Sequence, residues 1–522
     1  MIINNQDHFQ FLPFEKGWSD YFDYNLEKLT NRFTSEKSVF FINKGKEMSL
    51  SLFHQMFVRV PAYKDFLQKN KIDPDKIKSV DDIGRIPLID KENYLKQYSL
   101  SDLCWDGEIN SPIISASSGV SGTPTFWPRS TNIEIETSYI YELFLKNIFK
   151  IDKRRTLLIN GFSMGIYVGG SFTLNCSMRL FQKGYPLTIV TPGINQKEIV
   201  QILQQLPKHF EQVIIGGYPP FVRDVLEECE AKNISLQDKN IKLFFASESL
   251  SEDFRSHLYS KIGVEQNDYL HSSMNLYGTA DAAIAGHEMP LGTLVRTLFN
   301  DNPDRCLDYF GTSYVPSINQ YYPFFKDFEI REGEVVFSSY NNAVPLMCYN
   351  IHDRGKILMF EEMIEIVKSF GISEKEIEKL VGKDMLWRLP YIALYGRSDL
   401  SVTIYGLNIY PEHIKTALEQ DSIKEIVTGR FVMETKNRKD DHSQYLFINV
   451  ELNDGVEISE ELNKKLQDTI KETLKRVNVE FRHLSKSIKE KSDPIINLCK
   501  RGDKQYFPIS TKHKWVQKNN SL

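Results

Sequence analysis

The feature that most limits the fold of this chain is an alternation of apolar runs and helical stretches between residues 156 and 262. Short apolar runs at 156–159, 187–191, 213–215 and 243–246 are each followed by a stretch with helical periodicity. Strands that alternate with helices form a mainly parallel sheet covered by helices, and ligands bind beyond the carboxyl ends of such strands. The pattern therefore predicts an α/β protein whose site residues follow strands.

A second unit is predicted at the C-terminal end, because 522 residues are too many for one ordinary core. The composition changes near Gly396-Arg397-Ser398-Asp399. Beyond it, apolar residues alternate over 446–452 as in a half-buried strand, and a helix face begins after Ser459. We therefore predict a large N-terminal domain over residues 1–397 and a small α+β domain over 398–522.

The two ends of the chain give further expectations. Phe53, Phe57, Val60 and Tyr63 are spaced to line one face of a helical segment, and Asp90 is a candidate helix cap. From about Lys486 the chain is rich in lysine with little apolar pattern, which predicts a long surface excursion before Tyr506-Phe507-Pro508.

Composition excludes several classes of protein. The net charge is −5, so no overall field attracts nucleic acid or an acidic membrane surface. The six cysteines are scattered without a Cys-x-x-Cys pair, which argues against a zinc site and a disulfide framework. Residues 1–18 lack a basic start followed by an apolar core, and no apolar run approaches membrane-spanning length. We therefore expect a cytoplasmic protein with no membrane span and no nucleic-acid partner.

The segment Ser117-Ser118-Gly119-Val120-Ser121-Gly122-Thr123-Pro124 is a candidate anion-binding loop between two short apolar patches. Its glycines let successive N–H groups point into one concavity, and its serine hydroxyls add donors. A polyphosphate is the natural guest. The segment is not a Walker P-loop, because it does not end in Gly-Lys-Ser/Thr.

A competing motif is Gly161-Phe162-Ser163-Met164-Gly165, which fits the Gly-x-Ser-x-Gly nucleophile elbow of serine hydrolases and follows a predicted strand. A hydrolase also needs an acid and a histidine, and no local pattern nominates His271, His287 or His352. The alternative interpretation is a glycine-rich turn that lines a pocket.

Two further segments carry an acid at a turn. The first is Tyr277-Gly278-Thr279-Ala280-Asp281, in which the ring can stack on a base and the carboxylate can hold Mg²⁺. The second ends in His352-Asp353-Arg354-Gly355, where Asp353 can accept hydrogen bonds from a ribose diol. Each segment alone is also compatible with an ordinary turn.

The order and spacing of these segments resemble the adenylate-forming superfamily, most closely its phenylacetate-CoA ligase-like branch. The resemblance covers nearly the whole chain, and six segments carry it: 117–124, 161–170, 245–248, 277–281, 345–355 and 396–411. It implies a large adenylate-forming domain with parallel-rich sheets and a small, mobile C-terminal domain.

The resemblance also implies the roles of individual residues. The residues implied to bind ATP or AMP are Ser117, Ser118, Gly119, Ser121, Gly122, Ser247, Glu248, Tyr277, Gly278, Asp353 and Arg397. The implied acyl pocket is lined by Phe162, Met164, Ile166 and Tyr167. Asp281 is the implied Mg²⁺ ligand, Asp399 the implied hinge residue, and Arg397 and Lys512 are the implied catalytic residues. Lys512 fits the family's C-terminal lysine if one residue is deleted, and Lys514 is the alternative.

Several positions depart from the family pattern. Val120 and Thr123 replace a threonine and the loop lysine, so one hydroxyl and one cation to the phosphates are missing. Ala280 and Asp281 stand where Thr-Glu is usual, and His352 replaces a glycine before Asp353. Aspartate remains a hard oxygen ligand.

The implied activity is ATP-dependent activation of a small-molecule carboxylic acid to an acyl-adenylate, with release of pyrophosphate and transfer to coenzyme A. ATP, Mg²⁺ and coenzyme A are the implied cofactors. Three alternatives remain: transfer to a carrier-protein thiol or an amine, a serine hydrolase that uses Ser163, and a nucleotide-binding protein without catalysis. The sequence does not identify the acid.

Overall fold

The structure is a computed structural model that describes residues 26–116, 125–246, 250–312, 314–397, 402–404, 407–438, 444–507 and 515–517. The helices are α1 Leu26–Ser35, α2 Ser38–Arg59, α3 Pro61–Lys69, α4 Thr131–Asn147, α5 Val168–Gln182, α6 Gln196–Gln205, α7 Pro219–Ala231, α8 Glu252–Ile262, α9 Pro290–Asn300, α10 Pro303–Phe310, α11 Phe360–Ser369, α12 Glu374–Val381, α13 Pro411–Leu418, α14 Glu460–Val477 and α15 Val479–Ile488. The strands are β1 Ile113–Ala116, β2 Phe126–Arg129, β3 Thr156–Asn160, β4 Leu187–Val190, β5 Gln212–Gly217, β6 Ile241–Ala246, β7 Ser273–Thr279, β8 Ala283–His287, β9 Ser317–Gln320, β10 Lys326–Arg331, β11 Glu334–Ser339, β12 Leu346–Leu358, β13 Tyr391–Arg397, β14 Val402–Ile404, β15 Leu407–Ile409, β16 Val427–Asn437, β17 Gln444–Leu452 and β18 Ile495–Cys499.

The predicted α/β architecture is confirmed. Strands β3, β4, β5 and β6 coincide with the four apolar runs, and helices α5 to α8 follow them. The large sheet has the strand order β10-β11-β12-β13-β9-β8-β7-β6-β5-β3-β4. Pairs among β3 to β7 are parallel, whereas the pairs from β7 to β10 are antiparallel. The parallel block therefore ends at β7, the strand that carries Tyr277.

Helices cover both faces of the large sheet, as buried strands require. One apolar core contains Phe53 and Tyr63 from the N-terminal helices together with strand residues such as Ile318 and Tyr349. A second core joins β3, β5 and β6 to helices α6, α7 and α8. The prediction that Phe53, Val60 and Tyr63 face a core is confirmed, since each is at most 1% exposed.

The C-terminal residues form a separate apolar core. It joins the sheet β16-β17-β18 to helices α13 and α14. The predicted strand and helix are confirmed as β17 and α14, and the Ser459 side chain caps α14 by accepting a hydrogen bond from the Leu462 N–H at 3.1 Å. The separate core supports a small domain, and the boundary after Arg397 remains a prediction.

The surface excursion predicted beyond Lys486 is wrong. Residues 495–499 form strand β18, which pairs in parallel with β17, and Ile496, Leu498 and Cys499 are buried. The run Ile495-Ile496-Asn497-Leu498-Cys499 is a short apolar segment between lysine-rich stretches. A short apolar run of this kind is enough to form one strand beside an existing partner.

Within the described part of the chain, we find no helix with the length and apolar composition needed to cross a membrane.

Candidate active site

Tyr277 and Asp353, two of the predicted site residues, contact each other across the sheet. The Tyr277 hydroxyl donates a hydrogen bond to Asp353 Oδ2 at 2.5 Å, and Asp353 is buried. Strands β8, β9 and β13 separate β7 from β12 in the order of the sheet. In a flat sheet, four strand spacings of about 4.8 Å would place β7 and β12 roughly 19 Å apart. The sheet therefore curves strongly, and the candidate site lies where β7 faces β12.

Local irregularities aim both side chains at this contact. On β7 the pairing register with β8 shifts between Tyr277 and Gly278. On β12, His352 has a φ of 63°, in the left-handed region that favours glycine, and its N–H donates to Asn350 Oδ1 at 2.8 Å. Such irregularities redirect side chains near functional sites.

Asp281 makes a second contact between the β7–β8 hairpin and β12. The Tyr349 hydroxyl donates to Asp281 Oδ2 at 2.7 Å, and Lys91 Nζ lies 3.2 Å from the same oxygen. The side chain of Asp281 is only 2% exposed. A buried carboxylate needs such partners, because burial without them would be costly.

Lys91 reaches the site because backbone hydrogen bonds fix its segment against β12. The Ile89 N–H donates to the Cys348 carbonyl at 3.1 Å, and the Asn350 N–H donates to the Ile89 carbonyl at 2.8 Å. The next residue, Asp90, is the predicted cap and accepts hydrogen bonds from the Glu92 and Asn93 N–H groups, both at 2.7 Å. The cap prediction is confirmed, and Lys91 is the first residue of the short helical turn that follows.

A buried ionic network supports the strands that carry the site. The Arg255 guanidinium lies 2.9 Å from Glu288, and Arg296 also pairs with Glu288. Burial alone would raise the pKa of the Glu288 carboxyl, but the two guanidinium groups outweigh burial and lower that pKa. The ionised Glu288 carboxylate then accepts from the Asn275 N–H on β7 at 2.9 Å. Removing one partner of such a buried network is strongly destabilising.

The predicted acyl-pocket residues fall into two environments. Phe162 is 1% exposed and packs in the core, with its ring centroid 5.6 Å from Tyr218 and 5.3 Å from Phe244. Ile166 is 47% exposed, whereas Met164 and Tyr167 are half-buried. The Ala116 N–H donates to the Ile166 carbonyl at 3.0 Å. The segment therefore lies beside the strand that leads into residues 117–124, and its acyl role remains a prediction.

Ser163 lies in a setting unlike that of a hydrolase nucleophile. It is 3% exposed, and its hydroxyl accepts a long hydrogen bond of 3.4 Å from the Tyr218 hydroxyl. Among the described contacts of Ser163, none is to a histidine. An activated serine needs a base within hydrogen-bond reach.

Several predicted site residues lie outside the described residues. These are Ser117, Ser118, Gly119, Ser121, Gly122, Ser247, Glu248, Asp399, Lys512 and the alternative Lys514. Arg397 ends β13 directly opposite Asp353 in the β12–β13 pairing, although its side chain is not among those described. The strands β1 and β2, which flank residues 117–124, pair with each other from Ile113 to Arg129.

The small C-terminal unit contacts the large one next to Asp353. Arg354 Nη1 donates to the Tyr410 hydroxyl at 3.1 Å. The His413 ring lies 5.7 Å from the Tyr314 ring, and burial lowers the pKa of His413 to about 4, so this imidazole is neutral. Farther away, the Arg223 guanidinium donates to the Thr428 carbonyl at 2.7 Å.

Comparison with known proteins adds to this geometry. No family model matches the chain. A phenylacetate-coenzyme A ligase of Aromatoleum evansii is 22% identical over 425 residues, which cover 80% of this chain and 84% of that protein. A phenylacetate-coenzyme A ligase of Thermus thermophilus is 21% identical over 228 residues, 43% of this chain and 47% of that protein.

The fold agrees with these relatives. A crystal structure of 2-hydroxyisobutyryl-CoA ligase in the postadenylation state, in complex with R3-HIB-AMP, superposes with a TM-score of 0.61 at 13% identity, covering 94% of this chain and 92% of the ligase. The same ligase with 2-HIB-AMP and CoA in the thioesterification state superposes with a TM-score of 0.51. The chain is therefore similar in sequence to phenylacetate-coenzyme A ligases, and it shares its fold with a 2-hydroxyisobutyryl-CoA ligase.

The surroundings of Asp281 do not fit the Mg²⁺ ligand predicted from this family resemblance. Its Oδ2 already accepts from Tyr349 and pairs with the Lys91 ammonium. The described residues also contain no group of three or more His, Cys, Asp or Glu that could hold a metal ion. Mg²⁺ prefers several oxygen ligands in near-octahedral geometry, whereas here one carboxylate lies beside the positively charged Lys91 ammonium. The metal role of Asp281 therefore remains a prediction, and no step below depends on it.

Lys91 is a residue at this candidate site that sequence reasoning missed. The family's loop lysine is replaced by Thr123, and Lys91 is a cation from another segment that pairs with Asp281. No local pattern marks Lys91, because its partner Asp281 lies in the distant turn between β7 and β8. The only sequence signal nearby is the cap residue Asp90, which fixes where the following turn begins.

Proposed function

We propose that the protein activates a carboxylic acid with ATP to form an acyl-adenylate and pyrophosphate, and then transfers the acyl group to coenzyme A. The observation that carries the proposal is the meeting of Tyr277 and Asp353 in one site, with Asp281 on the adjoining turn. These residues come from separate segments of the family resemblance. The fold brings together the groups proposed for the base and for the ribose.

The relatives support this reaction class. Both curated relatives are phenylacetate-coenzyme A ligases. The solved ligase with the same fold binds an acyl-AMP in one structure, and an acyl-AMP with CoA in another. This chain has the same fold as that ligase, and we infer that an adenylate binds on the concave side of its curved sheet.

The first half-reaction joins two negatively charged groups. A carboxylate oxygen attacks the α-phosphorus of ATP, a new P–O bond forms, and the bond to the β-phosphate oxygen breaks to release pyrophosphate. Such transfers depend on positioning and on compensation of charge. Asp353 and Tyr277 would hold the nucleoside, and the hydroxyls of Ser117, Ser118 and Ser121 would donate to the phosphates.

The second half-reaction breaks the new mixed anhydride. The thiol sulfur of coenzyme A attacks the acyl carbonyl carbon, a C–S bond forms, AMP leaves with the shared oxygen, and the thiol proton passes to solvent. The acyl carbon is already activated by its bond to AMP, so the protein's task in this step is to position the thiol beside that carbon. A small domain that turns about Asp399 would allow one site to serve both half-reactions.

Lys512 is proposed as the cation of the first half-reaction. The described residues on either side of 508–514 are buried in the small unit: Phe507 is fully buried, and Val516 is 5% exposed. The Met433 N–H donates to the Trp515 carbonyl at 2.9 Å, and the Gln517 N–H donates to the Met433 carbonyl at 2.9 Å. These contacts support a lysine that is carried by the small domain.

The acceptor and the surroundings of the enzyme complete the proposal. Coenzyme A is the favoured acceptor, and a carrier-protein thiol or an amine is the alternative. A cytoplasmic location fits the six cysteines, each of which is free and buried. The hydrolase alternative has little support, because Ser163 is buried beside Tyr218.

A pyrophosphate-exchange assay with a panel of carboxylic acids tests the proposed reaction. We expect exchange that depends on both the protein and one class of acid, followed by thioester formation when coenzyme A is added. Ester cleavage without ATP would instead favour the hydrolase. Exchange without thioester formation, together with acyl transfer to a carrier protein or an amine, would favour the alternative acceptor.

A further inference from the structure

Helix α13 of the small unit carries two acids that contact the large unit. Glu412 lies in the first turn of α13, and Glu419 directly follows the last residue of the helix. The Glu412 carboxyl packs on strand β13, whereas the Glu419 carboxyl lies at Ser251, the cap residue of α8. Both ends of one helix therefore place a carboxyl group in the contact between the units.

The Glu412 carboxyl lies directly against the backbone of β13. A Cβ at Gly396 would lie 2.7 Å from Glu412 Oε2 and 3.1 Å from Oε1, so the carboxyl fills the space of a side chain at that position. The Oε2 atom is buried and has no hydrogen-bond partner in the described part of the chain. Gly396 pairs with Arg354 on β12, next to Asp353. The large unit therefore encloses this carboxyl without giving Oε2 a donor.

The surroundings of Glu412 favour its protonated form. Burial raises the pKa of the Glu412 carboxyl, and the Asp353 carboxyl raises it further. The Lys415 ammonium and the backbone N–H of Glu412 itself lower that pKa, but burial outweighs them. The Arg354 guanidinium of the large unit donates to the Tyr410 hydroxyl.

Three other polar residues lie near Glu412 at this contact. The Tyr314 hydroxyl donates to the Tyr395 carbonyl. The His413 imidazole is neutral, because burial lowers its pKa to about 4. Arg397 follows Gly396 on β13, and its side chain is not among those described.

Glu419 meets helices α8 and α9 of the large unit. Burial raises the pKa of its carboxyl to about 7, and Asp253 of α8 adds to the rise. A hydrogen bond with Ser251 and the positive charges of Lys415 and Arg296 lower that pKa by less than burial raises it. Glu419 therefore also favours the protonated form in this arrangement.

Only part of these surroundings depends on the contact between the units. Lys415 and the first turn of α13 move together with the two acids, so they act on them in any arrangement. Burial by the large unit and the carboxyls of Asp353 and Asp253 act only while the units are in contact. The pKa of each acid is therefore higher when the small unit is docked than when it has moved away.

We propose that the small unit docks in this arrangement with uptake of protons at Glu412 and Glu419, and that ionisation of these two acids releases it. An ionised carboxylate enclosed by protein is costly, and separation of the units returns it to water. Docking is therefore strongest below the ordinary glutamate pKa and weakens as the pH rises through the raised pKa, which is about 7 for Glu419. This coupling does not require the proposed reaction, so it can be measured without substrates.

Neutral side chains of the same shape test the coupling. In Glu412→Gln combined with Glu419→Gln, neither side chain can ionise. A pKa that rises by one on docking makes docking about tenfold weaker once the acid is ionised. We therefore expect trypsin to cleave this double variant near residues 397–401 at least about tenfold more slowly than the unmodified protein at pH 8. Small-angle scattering should show a larger radius of gyration at pH 8 than at pH 5 for the unmodified protein, and equal values for the double variant.

Asp421→Asn is the matched control. The Asp421 side chain is 93% exposed and pairs with Lys424 of the same unit, so this variant should behave like the unmodified protein in both measurements. Glu412→Met combined with Glu419→Met is a second neutral pair, without an amide to satisfy, and it should behave like the glutamine pair. The inference is wrong if both neutral pairs expand between pH 5 and pH 8 as much as the unmodified protein, or if neither pair slows cleavage at pH 8.

Discussion

Ser163 illustrates how a single side chain can match a short motif without the environment that the motif requires. The hydroxyl is buried and has a long hydrogen bond to Tyr218 as its described contact. Nucleophilic serines owe their reactivity to a neighbouring base and not to the surrounding glycines. The motif is therefore better explained as part of the turn between β3 and α5.

We expect Ser163→Ala to leave pyrophosphate exchange nearly unchanged. Loss of a 3.4 Å hydrogen bond should alter the rate by less than about threefold, which is about 0.6 kcal/mol. The measurement is acid-dependent exchange by the variant beside the unmodified protein. An inactive Ser163→Ala variant, together with ester cleavage by the unmodified protein, would contradict this prediction and favour the hydrolase.

Lys512→Ala should slow the first half-reaction by about 10²- to 10³-fold, as loss of one preorganised charge predicts. A preformed acyl-adenylate should restore thioester formation in this variant, because the second half-reaction does not need the cation. Lys514→Ala is the matched variant, two residues away. If Lys514→Ala is the inactive one, the assignment within 508–514 is shifted by two residues.

The sequence named candidate site residues where the chemistry is local, and it missed the contacts that depend on the tertiary fold. Tyr277 and Asp353 lie within β7 and β12, and each belongs to a recognisable sequence segment, so both could be named in advance as candidates. Lys91 could not, because its role depends on a backbone pairing between Ile89 and Tyr349. The Tyr277–Asp353 contact was likewise not foreseen, since it depends on the curvature of the sheet.

Among the elements, helix α2 packs closely on strand β10 with a buried acid between them. A Cβ at Gly45 would lie 2.8 Å from the carbonyl oxygen of Pro323, just before β10, and 3.1 Å from Asp327 Oδ1 on β10, so α2 lies too close to this segment for a larger residue. The Ser49 hydroxyl donates to Asp327 Oδ2 at 2.8 Å. Burial raises the pKa of the Asp327 carboxyl to about 7.

This pairing predicts a pH-dependent stability. A carboxyl whose folded-state pKa is raised contributes stability below its unfolded pKa, and that contribution is lost as the pH rises through about 7. The loss amounts to on the order of 4 kcal/mol at most. Asp327→Asn cannot ionise, so its melting temperature should fall less than that of the unmodified protein between pH 5 and pH 8. Parallel pH profiles would contradict this assignment.

The sequence predicted most elements of the alternating region, because burial on both faces imposes continuous apolar runs there. Strands β3 to β6 and helices α6 and α14 follow from periodicity alone. It did not predict β18, whose five residues lie among lysines and gain stability from pairing with β17. It also did not predict the antiparallel half of the large sheet. The direction of pairing there depends on the tertiary contacts between distant segments, which periodicity does not encode.

In the whole molecule, Arg223 joins the large and small units. Its guanidinium donates to the Thr428 carbonyl and pairs with Asp224, and Arg501 of the small unit lies 3.4 Å from the same aspartate. Arg223→Ala should loosen the small unit, giving faster trypsin cleavage near residues 397–401 and a broader small-angle scattering profile. The control is Arg85→Ala, whose exposed side chain pairs with Asp82 far from this interface. Equal cleavage of both variants would show that Arg223 does not restrain the small unit.

Asp399→Pro should separate the two half-reactions. Proline fixes φ and restricts the torsions about which the small domain is proposed to turn. We expect pyrophosphate exchange to survive while thioester formation collapses, measured on the same preparation. Equal loss of both activities in a folded protein would argue against a hinge at this residue.

The packing of the first helices on late strands sets a requirement during synthesis. The Ser38 hydroxyl donates to the Arg388 carbonyl across 350 residues, and the Tyr340 hydroxyl donates to the Gly45 carbonyl across 295 residues. At translation rates of about 5–20 residues per second, roughly 15 to 70 s pass between the synthesis of these helices and the synthesis of the segments they contact. A ribosome-bound chain of this protein therefore keeps the apolar face of its N-terminal helices without these partners until residues 340–388 have emerged.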